Sequence, residues 1–89
     1  MFVEIVSPEK TLFTGDVSSV HLPGSEGSFQ ILNNHAPIVS TLKEGLIKLK
    51  GKFDNKSENL NIINSNEASL EIQSGVVEMK MNKLIILVD

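Results

Sequence analysis

Short apolar runs separated by turn-forming residues recur along the whole chain at intervals of about eight to ten residues, and this spacing is its tightest constraint. Glycine permits positive φ, proline fixes φ and asparagine tolerates the left-handed region, so each cluster of them marks a reversal of the backbone. No stretch carries apolar residues at a helical period. The pattern predicts an all-β fold, a small flattened β-sandwich of about nine or ten short strands, with residues 1-89 forming a single domain.

Taken in order, Phe2 to Val6 is apolar and β-branched apart from Glu4, as in a strand with most of both faces covered. Leu12 and Phe13, between Thr11 and Thr14, suggest a short second strand ended by Gly15-Asp16. In Val17 to Leu22, Val20 and Leu22 point one way, while Ser19 and His21 point to the wetter side. Phe29 and Ile31 share one face of the next strand; Ser28, Gln30 and Leu32 share the other. Ile38 to Leu42 and Leu46 to Leu49 are extended pieces joined by Lys43-Glu44-Gly45. Gly51 to Asn59 surrounds a lone Phe53 with charge and polarity, which predicts a long solvated hairpin loop. Strands return at Leu60 to Ile63, around Leu70 and Ile72, at Val76 to Met81 and at Leu84 to Val88, with turns at Asn64 to Ala68 and Asn82-Lys83.

The densest punctuation lies in Pro23 to Gly45, where three glycines, two prolines and Asn33-Asn34 bracket two short apolar runs. Backbone that turns twice in so short a span makes a shaped surface, and the chemistry within it is sparse. His35 is the obvious candidate for catalysis there by residue type, but no motif supplies an orienting group or a nucleophile beside it. The better reading is a histidine hydrogen-bonded to backbone in the turn before Pro37. Gly24-Ser25-Glu26-Gly27 lacks the Gly-Lys-Ser/Thr ending and the following helix of a phosphate loop. His21 and His35, with lone carboxylates such as Asp16 and Glu26, are not spaced as metal ligands. Neither a catalytic residue, nor a cofactor, nor a metal is expected.

Composition narrows the partners. A net charge of −3, without a Lys/Arg cluster and without Trp or Tyr, argues against nucleic acid and against the aromatic platforms of a sugar-binding module. With no cysteine, stability rests on packing alone. The N-terminal residues lack a secretory pattern and no window approaches 18 apolar residues, so any membrane association is expected to come through another protein. The apolar runs Phe2 to Val6 and Leu84 to Val88 fit a two-sheet core, and equally a sheet whose outer face is covered by another subunit.

Gly24-Ser25-Glu26-Gly27, Ile31, His35-Ala36-Pro37-Ile38, Leu42 and Gly45 together resemble the signature of the epsilon subunit of F-type ATP synthases, in its N-terminal β-sandwich domain. Val6-Ser7-Pro8-Glu9, Leu12-Phe13-Thr14-Gly15 and Ser74-Gly75-Val76-Val77-Glu78, with Asn82 and Leu87-Val88-Asp89, extend the resemblance over nearly the whole chain. Gly51 to Ala68 diverges, its loop longer than is usual in the family. The resemblance implies a non-catalytic subunit of the rotor's central stalk, bacterial and peripheral on the cytoplasmic face of the membrane. In that role it links the gamma subunit to the polar loops of the c ring, so that proton- or sodium-driven rotation reaches gamma. By position, Ser25, Glu26, Gly27, Ser28 and His35 would face the c ring, and Ser7, Val39 and Ser40 would lie toward gamma. Gln30 and Asn34 replace glycines common in the family, and Ser28 stands where some members are acidic, which leaves Glu26 as the expected docking charge. Many members continue beyond a segment like Leu87-Val88-Asp89 into two helices that inhibit hydrolysis or bind ATP. The resemblance implies that a chain ending at Asp89 is left with coupling and assembly.

Overall fold

A computed structural model describes residues 1–53 and 59–89. It contains β1 (Phe2–Val6), β2 (Thr11–Leu22), β3 (Phe29–Leu32), β4 (Ile38–Leu42), β5 (Gly45–Gly51), β6 (Asn61–Asn64), β7 (Glu67–Ile72), β8 (Gly75–Lys80) and β9 (Lys83–Val88), and no helix among the described residues. One sheet runs β4-β8-β9-β1-β2 and the other β3-β2-β5-β7-β6. All pairings are antiparallel except β1 with β9, which run parallel.

β2 is common to both sheets, and here the structure corrects the sequence reading. Gly15-Asp16 does not end a strand: Gly15 pairs with Val3 and Asp16 with Phe2. The register shifts between Val17 and Ser19, and the strand then continues between β3 and β5. The interruption of the apolar pattern marks a bend from one layer into the other, as bulges commonly do. Gly15 also makes room for Phe13, whose ring would stand 3.0 Å from an added Cβ.

Alternation along each strand decides what is buried. Val3, Ile5, Val77, Met79, Leu84 and Ile86 project inward from the first sheet and Val20, Leu22, Ile31, Ile47 and Leu49 from the second, all of them fully buried. The smallest extent of the molecule, 22 Å, suits two sheets about 10 Å apart with side chains on both outer faces.

Three further expectations change. Phe53 is buried and packs on Phe13, with ring centroids 5.9 Å apart at 46°. Its backbone nitrogen donates to the Ser65 carbonyl at 2.9 Å, so this aromatic end of the predicted loop continues the sandwich, while residues 54–58 of that loop lie outside the described residues. The predicted turn from Asn64 to Ala68 shrinks to Ser65-Asn66, since Glu67 and Ala68 already pair with β5. The β8–β9 turn is Met81-Asn82, and Lys83 opens β9. Met81 and Asn82 have φ of 53° and 59°, as the tight two-residue hairpin turn demands.

Candidate docking surfaces

The two outer faces arrange their exposed residues differently. Across the first sheet the pairing aligns Thr41, Val76, Leu87, Val6 and Thr11 in one row and Val39, Glu78, Ile85, Glu4 and Thr14 in the next. Val39 is 69 % exposed, Leu87 53 % and Val76 41 %. Across the second sheet the corresponding row reads Gln30, His21, Lys48, Ser69 and Asn61. This outer row is polar throughout. His21 is half-buried in it, and its Nδ1 has no hydrogen-bond partner. Leu32, Leu46 and Ile63 are exposed on the second sheet outside this row, but Val76 and Leu87 are direct cross-strand partners, and adjoining exposed apolar residues are what a partner-binding face looks like before its partner arrives.

The turn after β2 leans on the edge of that apolar sheet. Gly24 bridges to Leu42, the Ser25 nitrogen donates to the Thr41 carbonyl at 3.0 Å, and the Thr41 hydroxyl donates to Ser25 Oγ at 2.8 Å. A Cβ on Gly24 would stand 2.5 Å from the Gly27 carbonyl oxygen and 2.7 Å from the Phe29 ring, so glycine is required by space. Gly27, at φ 135°, is required by conformation. Ser25, Glu26 and Gly27 line one side of a shallow cleft; Val39 and Ser40 line the other. The Glu26 carboxylate is exposed at the turn's tip.

His35 sits elsewhere. The chain leaves the Ser25 turn along β3, reverses at Asn33-Asn34 and returns along β4, so the turn and His35 lie at opposite ends of β3. His35 is exposed; its Nδ1 donates to the Ala36 carbonyl at 2.7 Å, the backbone bond that the sequence led us to expect. Asn82 ties this loop to the far end of the first sheet. Its Oδ1 accepts the Asn34 amide at 2.8 Å and its Nδ2 donates to Asn33 Oδ1 at 3.1 Å, an oxygen that also accepts from the Met1 nitrogen at 2.7 Å. Asn34 has φ 61°, so it occupies the left-handed conformation that a glycine would take.

Of the residues singled out from sequence, Ser25, Glu26 and Gly27 thus meet Val39 and Ser40 across one cleft, and exposed Ser28 follows directly. Ser7 lies apart, at the end of β1, where its Oγ donates to the Lys10 carbonyl at 3.1 Å and it borders a second cleft with Val76 and Leu87. Sequence reading did not single out Val76 and Leu87 as surface residues, because a β-branched run announces burial without saying which alternate residue lies outside. It missed the Asn33–Asn82 clasp because nothing local links positions so far apart. No group of three or more His, Cys, Asp or Glu side chains gathers as a metal-ligand set among the described residues.

A family model described as "ATP synthase, Delta/Epsilon chain, beta-sandwich domain" matches residues 1–89. The chain belongs to this family. An ATP synthase epsilon chain of Leptospira interrogans is 42 % identical over 87 residues, which are 98 % of this chain and 59 % of that protein. One from Chlorobium limicola is 38 % identical over 87 residues, again 98 % of this chain but 86 % of the relative. The chain therefore spans about three-fifths of the Leptospira epsilon chain and most of the Chlorobium one. The sandwich also superposes on a chain in the cryo-EM structure of the Tetrahymena thermophila mitochondrial ATP synthase central stalk and c-ring, with TM-score 0.76 and 21 % identity, over 98 % of this chain and 61 % of that one. At that identity the likeness establishes a shared fold. The chain is thus a β-sandwich of the ATP synthase delta/epsilon type.

Proposed function

We propose that this chain is a non-catalytic coupling subunit of the central stalk of a bacterial F-type ATP synthase, a single sandwich domain peripheral on the cytoplasmic face of the membrane. It links the gamma subunit to the c ring and passes the rotation driven by proton or sodium flow between them. The observation that carries this reading is the apolar group on the outer face of the first sheet, where Val76 and Leu87 are exposed cross-strand partners and Val39 is exposed on the adjoining β4. An apolar face of this kind suits a lasting protein contact and has no use in a monomer.

In this reading gamma covers the face bearing Val39, with Ser40 at its edge and Ser7 at the end of β1. The Ser25, Glu26, Gly27 and Ser28 turn, with the His35 loop, meets the polar loops of the c ring. The turn's rigidity supports that assignment, since a stiff loop loses little entropy on docking. Membership of the family also supports it.

The test is recovery from solubilised membranes. Gamma and c subunits are expected to co-purify with the tagged chain, and cysteines placed at Val39 and at Glu26 should cross-link to gamma and to c respectively. Isolation of the chain free of both subunits would overturn the reading.

A further inference from the structure

The β8–β9 hairpin turn explains the backbone at its tip but not the side chain placed there. Met81 is 88 % exposed and holds φ at 53°, a left-handed conformation in which a methionine is strained and a glycine is not. Lys80 and Lys83 are cross-strand partners directly beneath it, a like-charge pairing that opposes hairpin formation. Lys83 leans back over the ring of Phe2, Nζ 5.9 Å from its centroid, which adds a half-open aromatic to the same corner. Lys80, Met81 and Lys83, with Glu78 and Ile85, line a shallow cleft there.

We propose that this tip is a docking element in its own right, and that it takes a protein surface offering an apolar recess for the Met81 thioether, bordered by carboxylates opposite Lys80 and Lys83. The inference rests on the reading of the chain as a rotor subunit and adds to it a contact made by residues that reading does not use. Two features make the tip fit for the task. It is braced, because the neighbouring Asn82 spends both ends of its amide on Asn33 and Asn34, so the tip and the His35 loop move as one end of the sandwich. Its charges are also patterned: the cationic Lys80 and Lys83 row lies beside a row carrying Glu78 and Glu4, and Asp16 stands across from Phe2. A protein partner can match rows of opposite sign, whereas an anionic bilayer would be repelled by the three carboxylates as it was drawn to the two lysines.

The experiment titrates the full chain against a rotor assembly of gamma and c subunits purified without it. Met81→Gly removes the thioether and relieves the backbone, so melting is expected unchanged or higher while affinity falls about tenfold. Lys80→Glu with Lys83→Glu should lower affinity at low salt and flatten its salt dependence. Unchanged affinity in both variants would overturn the inference, as would a tip that binds vesicles of phosphatidylglycerol and leaves rotor affinity untouched. Should Glu26→Lys weaken docking while Met81→Gly does not, this inference falls and the coupling role stands. Should the unaltered chain fail to bind the rotor, both fall.

Discussion

Replacing Val39, Val76 and Leu87 together by threonine tests the apolar face directly. Threonine carries the β-branch that strands favour, and all three side chains are exposed, so folding should change by no more than about 0.5 kcal/mol per site. Binding is another matter. Fully burying a valine or leucine side chain is worth about 1.5–3 kcal/mol, and these residues leave 69 %, 41 % and 53 % of their surface for a partner to cover. Each therefore holds about 1 kcal/mol in reserve, and a buried hydroxyl in its place cancels that gain. The triple variant should bind purified gamma about 3 kcal/mol more weakly, roughly a 150-fold rise in Kd by calorimetric titration, while its far-ultraviolet spectrum remains that of the native sandwich. A triple variant that folds normally and binds gamma within threefold of the unaltered chain would refute the reasoning, because these three are the exposed aliphatic residues on the strands of this sheet.

Three other outcomes follow from particular contacts. Glu26→Lys should weaken docking on isolated c ring by up to about fivefold at low salt, with less effect at high salt and no change in melting, as an exposed charge allows. Gly24→Ala drives a Cβ to 2.5 Å from the Gly27 carbonyl and should destabilise the fold by about 2 kcal/mol, lowering Tm by about 10 °C in a thermal melt; an unchanged Tm would mean that the turn adjusts freely. Phe53→Ala should cost about 3 kcal/mol in a urea titration by emptying the site against Phe13, whereas a residue in a solvated loop would cost almost nothing.

What could be read from the chain beforehand was whatever depends on near neighbours. Alternation at the end of Val17 to Leu22 gave the correct inward pair, Val20 and Leu22, and the Gly24 to Gly27 cluster gave a turn, which the structure holds tight by space and by φ. Errors arose where a residue's meaning depends on something distant. Gly15-Asp16 looked like a terminator because it breaks the pattern, yet β1 pairs with both residues. Phe53 looked stranded among polar neighbours because its partner, Phe13, is far away in sequence. From sequence alone Leu87 stays open between core and covered surface, because a strand buried on both faces and one open on a single apolar face have the same composition. The spacing of a strand fixes which side chains share a face; only the arrangement of the layers decides which face is covered.

Twelve consecutive residues of β2 are stitched to β1 along their first half and to β3 and β5 along their second. Peeling apart either layer must therefore tug on the other through unbroken covalent chain, leaving no seam along which the halves could slide or melt separately. A shared thread of this sort converts a pair of stacked plates into a single stiff block, and under the coupling role proposed above a twist applied at one end would arrive at the other without being lost as internal slip.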